Sequence, residues 1–163
     1  MARITHPIPP LYNEASRILI LGSFPSVKSR EGEFFYHHPQ NRFWRVISTI
    51  YGEPLPNTIA EKKELLLKHH IAVWDVIHSC EITGSSDSSI RDVIPNDLSE
   101  ILRTADIRRI FTNGNTATRL YRRYIYPVTK IESQGLFSTS PANAGCNLDR
   151  LLEAWSCLKA FSE

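Results

Sequence analysis

Hydrophobic and polar positions along the chain alternate between short apolar runs and longer stripes at helical spacing. Four of the short runs are rich in β-branched or aromatic residues and are bounded by polar or glycine-containing turns, which predicts strands. These runs are Arg17 to Leu21, Ile71 to Val76, Arg108 to Thr112 and Val128 to Glu132. Because helical patterns separate them, the strands are expected to form parallel βαβ units. The pattern therefore predicts a single domain over residues 1–163, a three-layer α/β/α sandwich with a central, mainly parallel four-stranded sheet.

Five segments have the spacing of amphipathic helices. They are Phe43 to Tyr51, Glu61 to His69, Leu98 to Thr104, Asn115 to Tyr124, and a final helix to Phe161 for which Asn147 is the predicted N-cap. Asparagine is a favoured residue at that capping position. The helices account for the chain between the strands and after the last one.

Composition excludes several classes of protein. A chain of 163 residues with 42% hydrophobic residues can bury a core without metals or disulfides. Its three cysteines form no CxxC pair, so neither a zinc ribbon nor a disulfide scaffold is expected. We predict that the protein has no metal and no cofactor. The net charge of +2 neither requires nor excludes a nucleic-acid partner.

The chain carries no signal for membranes or secretion. Residues 1–7 lack the apolar core of a signal peptide, and no window is long and apolar enough to span a bilayer. We therefore expect a monomeric, soluble protein of the cytoplasm, or of the nucleus in a eukaryote.

The loops that follow the predicted strands contain the residues suited to chemistry. Ligands of open α/β sheets bind at the carboxyl ends of the strands. The first loop contains Gly22 to Ser26 and continues through His38 to Trp44; the second contains Ser79 to Glu81 and a serine-rich stretch, Gly84 to Arg91. The turn Thr112 to Asn115 follows the third strand, and Ser138 to Asn143 follows the last. We expect these loops to meet at one edge of the sheet.

In order and separation, these loops resemble those of the uracil-DNA glycosylase superfamily, and most of all its branch of hypoxanthine-DNA (deoxyinosine) glycosylases. The resemblance extends from about Leu19 to the final helix. It implies an enzyme that flips a deaminated base out of damaged DNA and hydrolyses the N-glycosidic bond. The motif contains no lysine for a Schiff base, so a lyase step is not expected. The alternatives are a uracil or mismatch glycosylase of the same fold and a non-catalytic DNA-binding relative.

Asn41 is the predicted catalytic residue. In the resembled family an asparagine before the Arg-Phe-Trp segment belongs to the catalytic site, and Asn41 matches that position. Its amide could orient water or contact the sugar and base. The structural alternative is a cap for the helix that begins at Arg42. The two roles are compatible.

The resemblance also implies a base pocket, formed by Gly22, Ser23, Phe24, Pro25, Phe35, Tyr36 and Asn113. Phe24 is a departure, because other branches have an aspartate or asparagine there to activate water. A phenyl ring cannot act as a base, which favours hypoxanthine over uracil as the substrate. Core packing is the alternative for the aromatic residues, and an Asn-Gly turn is the alternative for Asn113.

Ser138, Ser140, Pro141, Ala142 and Asn143 are the predicted DNA-binding residues. They resemble the second motif of the superfamily, which enters the minor groove beside the extruded nucleotide. Ser140 could donate to a phosphate, and Ala142 or Asn143 could occupy the vacated stack. Ser138 stands where some branches have a histidine. The alternative is a plain proline turn.

Two acidic residues, one at the end of the second predicted strand and one in the serine-rich loop, are further candidate acids. Asp75 is expected to fix the end of its strand by hydrogen bonds, and Asp87 to shape the serine-rich loop.

Overall fold

The computed structural model describes residues 3–163. The strands are β1 (Arg3–Thr5), β2 (Ile18–Gly22), β3 (Ile71–Asp75), β4 (Ile77–Glu81), β5 (Arg91–Pro95), β6 (Arg109–Asn113) and β7 (Ser133–Leu136). The helices are α1 (Val27–Gly32), α2 (Phe43–Ile50), α3 (Ile59–Lys68), α4 (Ser99–Thr104), α5 (Asn115–Leu120), α6 (Tyr126–Thr129), α7 (Leu148–Trp155) and α8 (Lys159–Ser162). A π-helical turn joins α5 to α6, and a 3₁₀ turn joins α7 to α8.

A four-stranded parallel sheet forms the centre of the fold, in the order β3, β2, β6, β7. The predicted three-layer α/β architecture is confirmed. Gly22 pairs with Asp75, and Asn113 pairs with Leu136, so all four strands end at the same level. The loops that follow them therefore leave from one edge, as expected.

The central sheet buries side chains on both faces. All five residues of β2 are buried, and alternate residues face opposite sides. Ile18 and Ile20 belong to a core that includes the buried residues of α2 and α7. Leu19 and Leu21 belong to a second core that includes residues of α4 and the α5 segment. An apolar run without alternation in β2 is the consequence of this two-sided burial.

The predicted strand at Val128 to Glu132 is wrong. Tyr126–Thr129 is a helix with a proline in its first turn, where a missing N–H costs nothing. Val128 is 81% exposed, so its apolar character does not mark a core strand. The fourth strand is Ser133–Leu136, which is polar because it lies at the sheet edge and contributes only Leu136 to the buried core.

A second sheet was not predicted. β1, β4 and β5 form a three-stranded antiparallel sheet in the order β1, β4, β5. Residues Ser79 to Glu81, which were expected in a loop, belong to β4. β1 pairs with a strand that is remote in sequence, with Ile4 opposite Cys80, so local pattern gives little sign of this pairing.

The predicted helices are present with shifted ends. Asn147 caps α7 as predicted, since its side chain accepts a hydrogen bond from the Arg150 N–H. The helical path continues to residue 162, although Ser156–Leu158 is a 3₁₀ turn. α3 begins at Ile59 behind a capping box made by Thr58 and Glu61, two residues before the predicted start.

Within residues 3–163, no helix combines the length and apolarity needed to cross a bilayer. The same part of the chain holds no group of three or more His, Cys, Asp or Glu side chains arranged to bind a metal ion. Cys80 and Cys146 are buried free thiols, and Cys157 is a half-buried one.

Gly114→Ala should lower the free energy of unfolding by about 1–3 kcal/mol, because Gly114 has a φ of 96° that strains any other residue. A Cβ at this position would also lie 2.9 Å from the Ser138 Cβ. Urea unfolding measures the effect. Gly145→Ala is the matched control, since a Cβ there meets nothing within 4 Å. Equal stability of the two variants would contradict this account of Gly114.

Candidate active site

Two adjoining clefts lie at the carboxyl edge of the central sheet, with volumes of about 510 Å³ and 460 Å³. The larger one is lined by nearly all of the predicted site residues, namely Gly22, Ser23, Phe24, Pro25, Phe35, Tyr36, Asn41, Asn113, Ser138, Ser140, Pro141 and Ala142. Asn143 lines the smaller one. The structure thus brings the three predicted groups of residues to one place.

Aromatic rings form one side of the larger cleft. Phe24 and Phe35 are buried and belong to the two hydrophobic cores, yet both also line the cleft. Each ring therefore both packs in a hydrophobic core and lines the cleft. The Arg30 guanidinium lies over the Phe24 ring, 5.6 Å from its centre, which is within the range of a cation–π contact.

Tyr36 is held in a strained backbone conformation, with a φ of 51°. Its ring stacks on Phe43 at a centroid distance of 4.0 Å, and its carbonyl accepts a hydrogen bond from the Trp44 indole. Burial, followed by the Asp75 carboxylate, raises the pKa of the Tyr36 phenol far above its usual value. The nearby Asn113 amide opposes this shift but completes no hydrogen bond to the phenol, whose oxygen has no partner among residues 3–163.

Asn41 both lines the cleft and supports the start of α2. Its side-chain oxygen accepts a hydrogen bond of 2.9 Å from the Phe43 N–H, close to the capping role considered for it. This bond uses the amide oxygen only. Within the described chain the amide nitrogen has no hydrogen-bond partner, so it is free to donate to a ligand.

Asn113 is tied to the last loop by a pair of hydrogen bonds. Its amide nitrogen donates to the Thr139 hydroxyl at 3.0 Å, and its oxygen accepts from the Thr139 N–H at 3.1 Å. Neither the base-contact nor the simple turn interpretation included this role. Asn113 connects the end of β6 to the segment that follows β7.

The segment from Ser138 to Asn143 is folded by its own side chains. The Ser138 hydroxyl accepts from the Ser140 N–H, and the Ser140 hydroxyl accepts from the Ala142 N–H, both at 3.1 Å. The Asn143 amide donates to the Ser138 carbonyl at 3.0 Å. Ala142 is exposed at the tip. These bonds leave the Ser140 hydroxyl proton available for a ligand.

Arg42 joins the Asn41 segment to this loop. Its guanidinium donates to the carbonyls of Ser140 at 3.2 Å, Asn143 at 3.1 Å, and Cys146. Its backbone N–H donates to the Thr139 carbonyl at 3.1 Å. One residue thus fixes the position of the loop relative to the start of α2.

Asp75 lies at the bottom of the larger cleft and is almost completely buried. Its backbone carbonyl accepts a hydrogen bond from the Asn96 amide. Its carboxylate was expected to make hydrogen bonds at the end of β3. It contacts His6 instead, with a distance of 2.7 Å between Asp75 Oδ2 and His6 Nε2. His6 is also buried and packs edge-on against Phe24.

Asp87 lies where the two clefts adjoin, and the Ser23 hydroxyl donates to its carboxylate at 3.2 Å. Much of the residue is exposed to solvent, although desolvation of the carboxyl group raises the pKa of Asp87. The Ser23 hydrogen bond opposes that shift. This contact joins the serine-rich loop to the first motif, as expected for a loop-shaping residue.

Sequence reasoning missed His6, Arg42 and Thr139. His6 lies in a segment without any motif and meets Asp75 across 69 positions. Arg42 stands beside the predicted catalytic residue. Its long cationic side chain could have been considered as a donor to the backbone carbonyls of the turn that follows β7. Thr139 carries no signal beyond its place within the Ser138–Asn143 segment.

A sequence model of the uracil DNA glycosylase superfamily matches residues 9–159. A hypoxanthine DNA glycosylase of Methanosarcina acetivorans is 40% identical over 111 residues, which are 67% of this chain and 70% of the relative. A hypoxanthine DNA glycosylase of Methanosarcina barkeri is 32% identical over 137 residues, which are 83% of this chain and 85% of the relative.

A solved structure is similar over almost its whole length. It is an NMR structure of a Methanosarcina acetivorans protein that is provisionally assigned as a uracil DNA glycosylase. The TM-score is 0.81 at 30% identity, and the alignment covers 96% of this chain and 97% of the other. The fold, with its cleft at the carboxyl edge of the parallel sheet, and these similarities place the chain in the class of DNA glycosylases. Within that class, this chain belongs to the uracil DNA glycosylase superfamily.

Arg42→Ala should lower the free energy of unfolding by about 1–3 kcal/mol, because it leaves three carbonyls without their charged donor. Hydrogen exchange should become faster for the amides of residues 139–146 in particular, since this segment loses its tie to α2. Arg45→Ala is the control on the same helix, where the side chain is exposed. Unchanged exchange in that segment would show that Arg42 does not hold it.

Proposed function

We propose that the chain is a monofunctional DNA glycosylase that removes hypoxanthine from deoxyinosine by hydrolysis and leaves an abasic site. The observation that carries this proposal is that Asn41, the aromatic side of the cleft and the Ser138–Asn143 segment lie around one cavity. The names of the two Methanosarcina relatives support hypoxanthine as the base. The enzyme acts on damaged DNA as a monomer, and we place it in the cytoplasm, or in the nucleus of a eukaryote.

The cleft has the parts that base release requires. A base flipped from DNA would enter beside Phe24, Phe35 and Tyr36, whose rings can enclose it. N-glycosidic cleavage develops positive charge on the sugar and negative charge on the base. Amide and hydroxyl side chains also line the cleft and can stabilise the departing base by hydrogen bonds.

Asn41 is assigned the central role in this reaction. Its amide oxygen is held by the Phe43 N–H, which fixes the side chain and leaves the amide nitrogen to donate. In this position it can orient the attacking water or contact the sugar and base. Phe24 offers no basic group, so water activation by an acidic residue at that position does not operate in this chain.

The loop after β7 is assigned to DNA binding. The Ser140 hydroxyl can donate to a phosphate, and phosphate contacts set the position of the protein on a duplex. Asn143 is bonded back to Ser138, whereas Ala142 is exposed at the tip. Ala142 is therefore the residue better placed to fill the space that the flipped nucleotide leaves.

The substrate is tested with oligonucleotides that carry deoxyinosine, deoxyuridine or deoxyxanthosine, followed by alkaline cleavage of abasic sites. Deoxyinosine should be the preferred substrate, and release should proceed in EDTA. Cleavage must require alkali, because the site lacks a lysine for a lyase step. Release of uracil alone would favour a uracil glycosylase, and DNA binding without release of any base would favour a non-catalytic relative.

Asn41→Ala and Asn41→Asp should each reduce single-turnover release of hypoxanthine by about 100-fold or more, the range found for loss of one stabilising donor. Asn41→Asp retains an acceptor for the Phe43 N–H, so its stability should stay close to that of the parent. Gln40→Ala, at an exposed neighbouring position, is the control. If Asn41→Asp retained full activity, capping alone would explain the residue.

A further inference from the structure

The bottom of the larger cleft holds a buried carboxylate whose two oxygens face different partners. Asp75 Oδ2 contacts His6 Nε2 at 2.7 Å. Asp75 Oδ1 lies against Gly22, where any side chain would collide with it. The absence of a side chain at Gly22 therefore leaves room for the Asp75 carboxylate, which lines the cleft. Asp75 forms no ion pair with a lysine or arginine of the described chain, so its charge is not neutralised there.

The hydrogen bonds of His6 determine which group carries the proton. The Ile8 N–H donates to His6 Nδ1 at 3.1 Å, so Nδ1 carries no hydrogen. Nε2 must then carry the ring proton and donate it to Asp75 Oδ2. His6 is therefore the donor and Asp75 Oδ2 the acceptor in this contact. With Oδ2 occupied by His6, Oδ1 is the acceptor left for a ligand.

Depth in the cleft separates groups that face the base from those that face the sugar. A flipped nucleotide enters with the edge opposite its glycosidic bond leading, while the sugar stays at the mouth. Asp75 is only 4% exposed and lies at the bottom. It is therefore placed to meet the leading edge of the base and not the sugar.

Deamination changes that leading edge in a way a carboxylate can detect. Adenine has a lone pair on N1, whereas hypoxanthine has an N1–H; cytosine and uracil differ in the same manner at N3. A carboxylate accepts a hydrogen bond from the N–H of the deaminated base and repels the lone pair of the normal one. Charge-assisted hydrogen bonds of this type are stronger than neutral ones.

We propose that Asp75 Oδ1 accepts the ring N–H of the deaminated base and that His6 is the positioning residue that holds Asp75 for this contact. The pair thereby distinguishes hypoxanthine from adenine. This inference rests on the proposed glycosylase function and adds the group that recognises the base. The Asn113 amide is already bonded to Thr139 through both its oxygen and its nitrogen.

Tyr36 provides a fitting neighbour for this contact. A Cβ atom added at Gly22 would lie 3.2 Å from the Tyr36 hydroxyl oxygen and closer still to Asp75 Oδ1. The two oxygens therefore border the same point. Burial keeps the phenol protonated, so it adds no second negative charge beside the carboxylate. A deaminated base carries a carbonyl next to its N–H, and the unpartnered hydroxyl is the donor nearest to that side.

The first test changes the substrate and leaves the protein intact. Single-stranded oligonucleotides carry either deoxyinosine or 1-methyldeoxyinosine, which lacks the N1–H; single strands remove any effect of base pairing. The native protein should release the methylated base at least about 100-fold more slowly. Acid depurination of both oligonucleotides controls for the reactivity of the bond. Equal release of the two bases would overturn the proposal.

The second test changes the protein. Asp75→Ala should slow release of hypoxanthine by at least about 100-fold and bring the rates for the two substrates to within a few-fold of each other. His6→Ala should reduce the same ratio, and His6→Gln, which keeps an N–H donor, should restore part of it. His78→Ala is the control at an exposed histidine. Circular dichroism and thermal unfolding check that each variant is folded.

The outcomes separate this inference from the proposed function. An equal loss on both substrates in Asp75→Ala would assign the pair a purely structural role and overturn the inference. If the native protein released hypoxanthine but tolerated the N1-methyl group, glycosylase function would stand and only this recognition would fail. If the native protein released no hypoxanthine, the proposed function itself would fail.

Discussion

The guanidinium of Arg42 is the interaction on which the arrangement of the cleft depends. It donates to three carbonyls of the segment after β7, and its own backbone joins the same segment through Thr139. Carbonyl groups turned inward at an irregular turn are costly unless they find donors. Arg42 supplies those donors from the residue next to Asn41. The position of Asn41, the proposed catalytic residue, and the shape of the loop proposed to bind DNA are therefore both tied to one side chain.

The sheet supplies the frame for this arrangement, and its polar ends supply the chemistry. β2 and β3 end together at Gly22 and Asp75, and β6 and β7 end together at Asn113 and Leu136. The polar side chains that end β3 and β6 each have a partner on another segment: Asp75 with His6, and Asn113 with Thr139. The cleft is thus built from groups that already have hydrogen-bond partners. The few groups without a partner are the ones available to a ligand.

Local pattern was sufficient where structure depends on neighbours in sequence. The buried run of β2, the stripe of α2 and the Asn147 cap could all be predicted, as could the loops that line the cleft. Pattern failed at Val128, which is apolar and yet exposed, because it lies in a short surface helix that has proline in its first turn. It also failed for β1 and for His6, since their partners lie about 70 positions away and no local spacing encodes them. The pairing of β4 with β5 is closer in sequence, but register shifts interrupt it.

The loop after β7, which we propose to bind DNA, is bonded to itself, to β6 and to Arg42 at the start of α2. A binding segment that is already folded loses little conformational entropy when it meets its partner. The free-energy cost of forming the complex then falls on the nucleic acid, which must unstack and unpair a nucleotide. That cost is lowest where the pair is weakened by damage. Because the protein segment is rigid, the enzyme favours sites at which the duplex opens most easily, and these are the damaged ones.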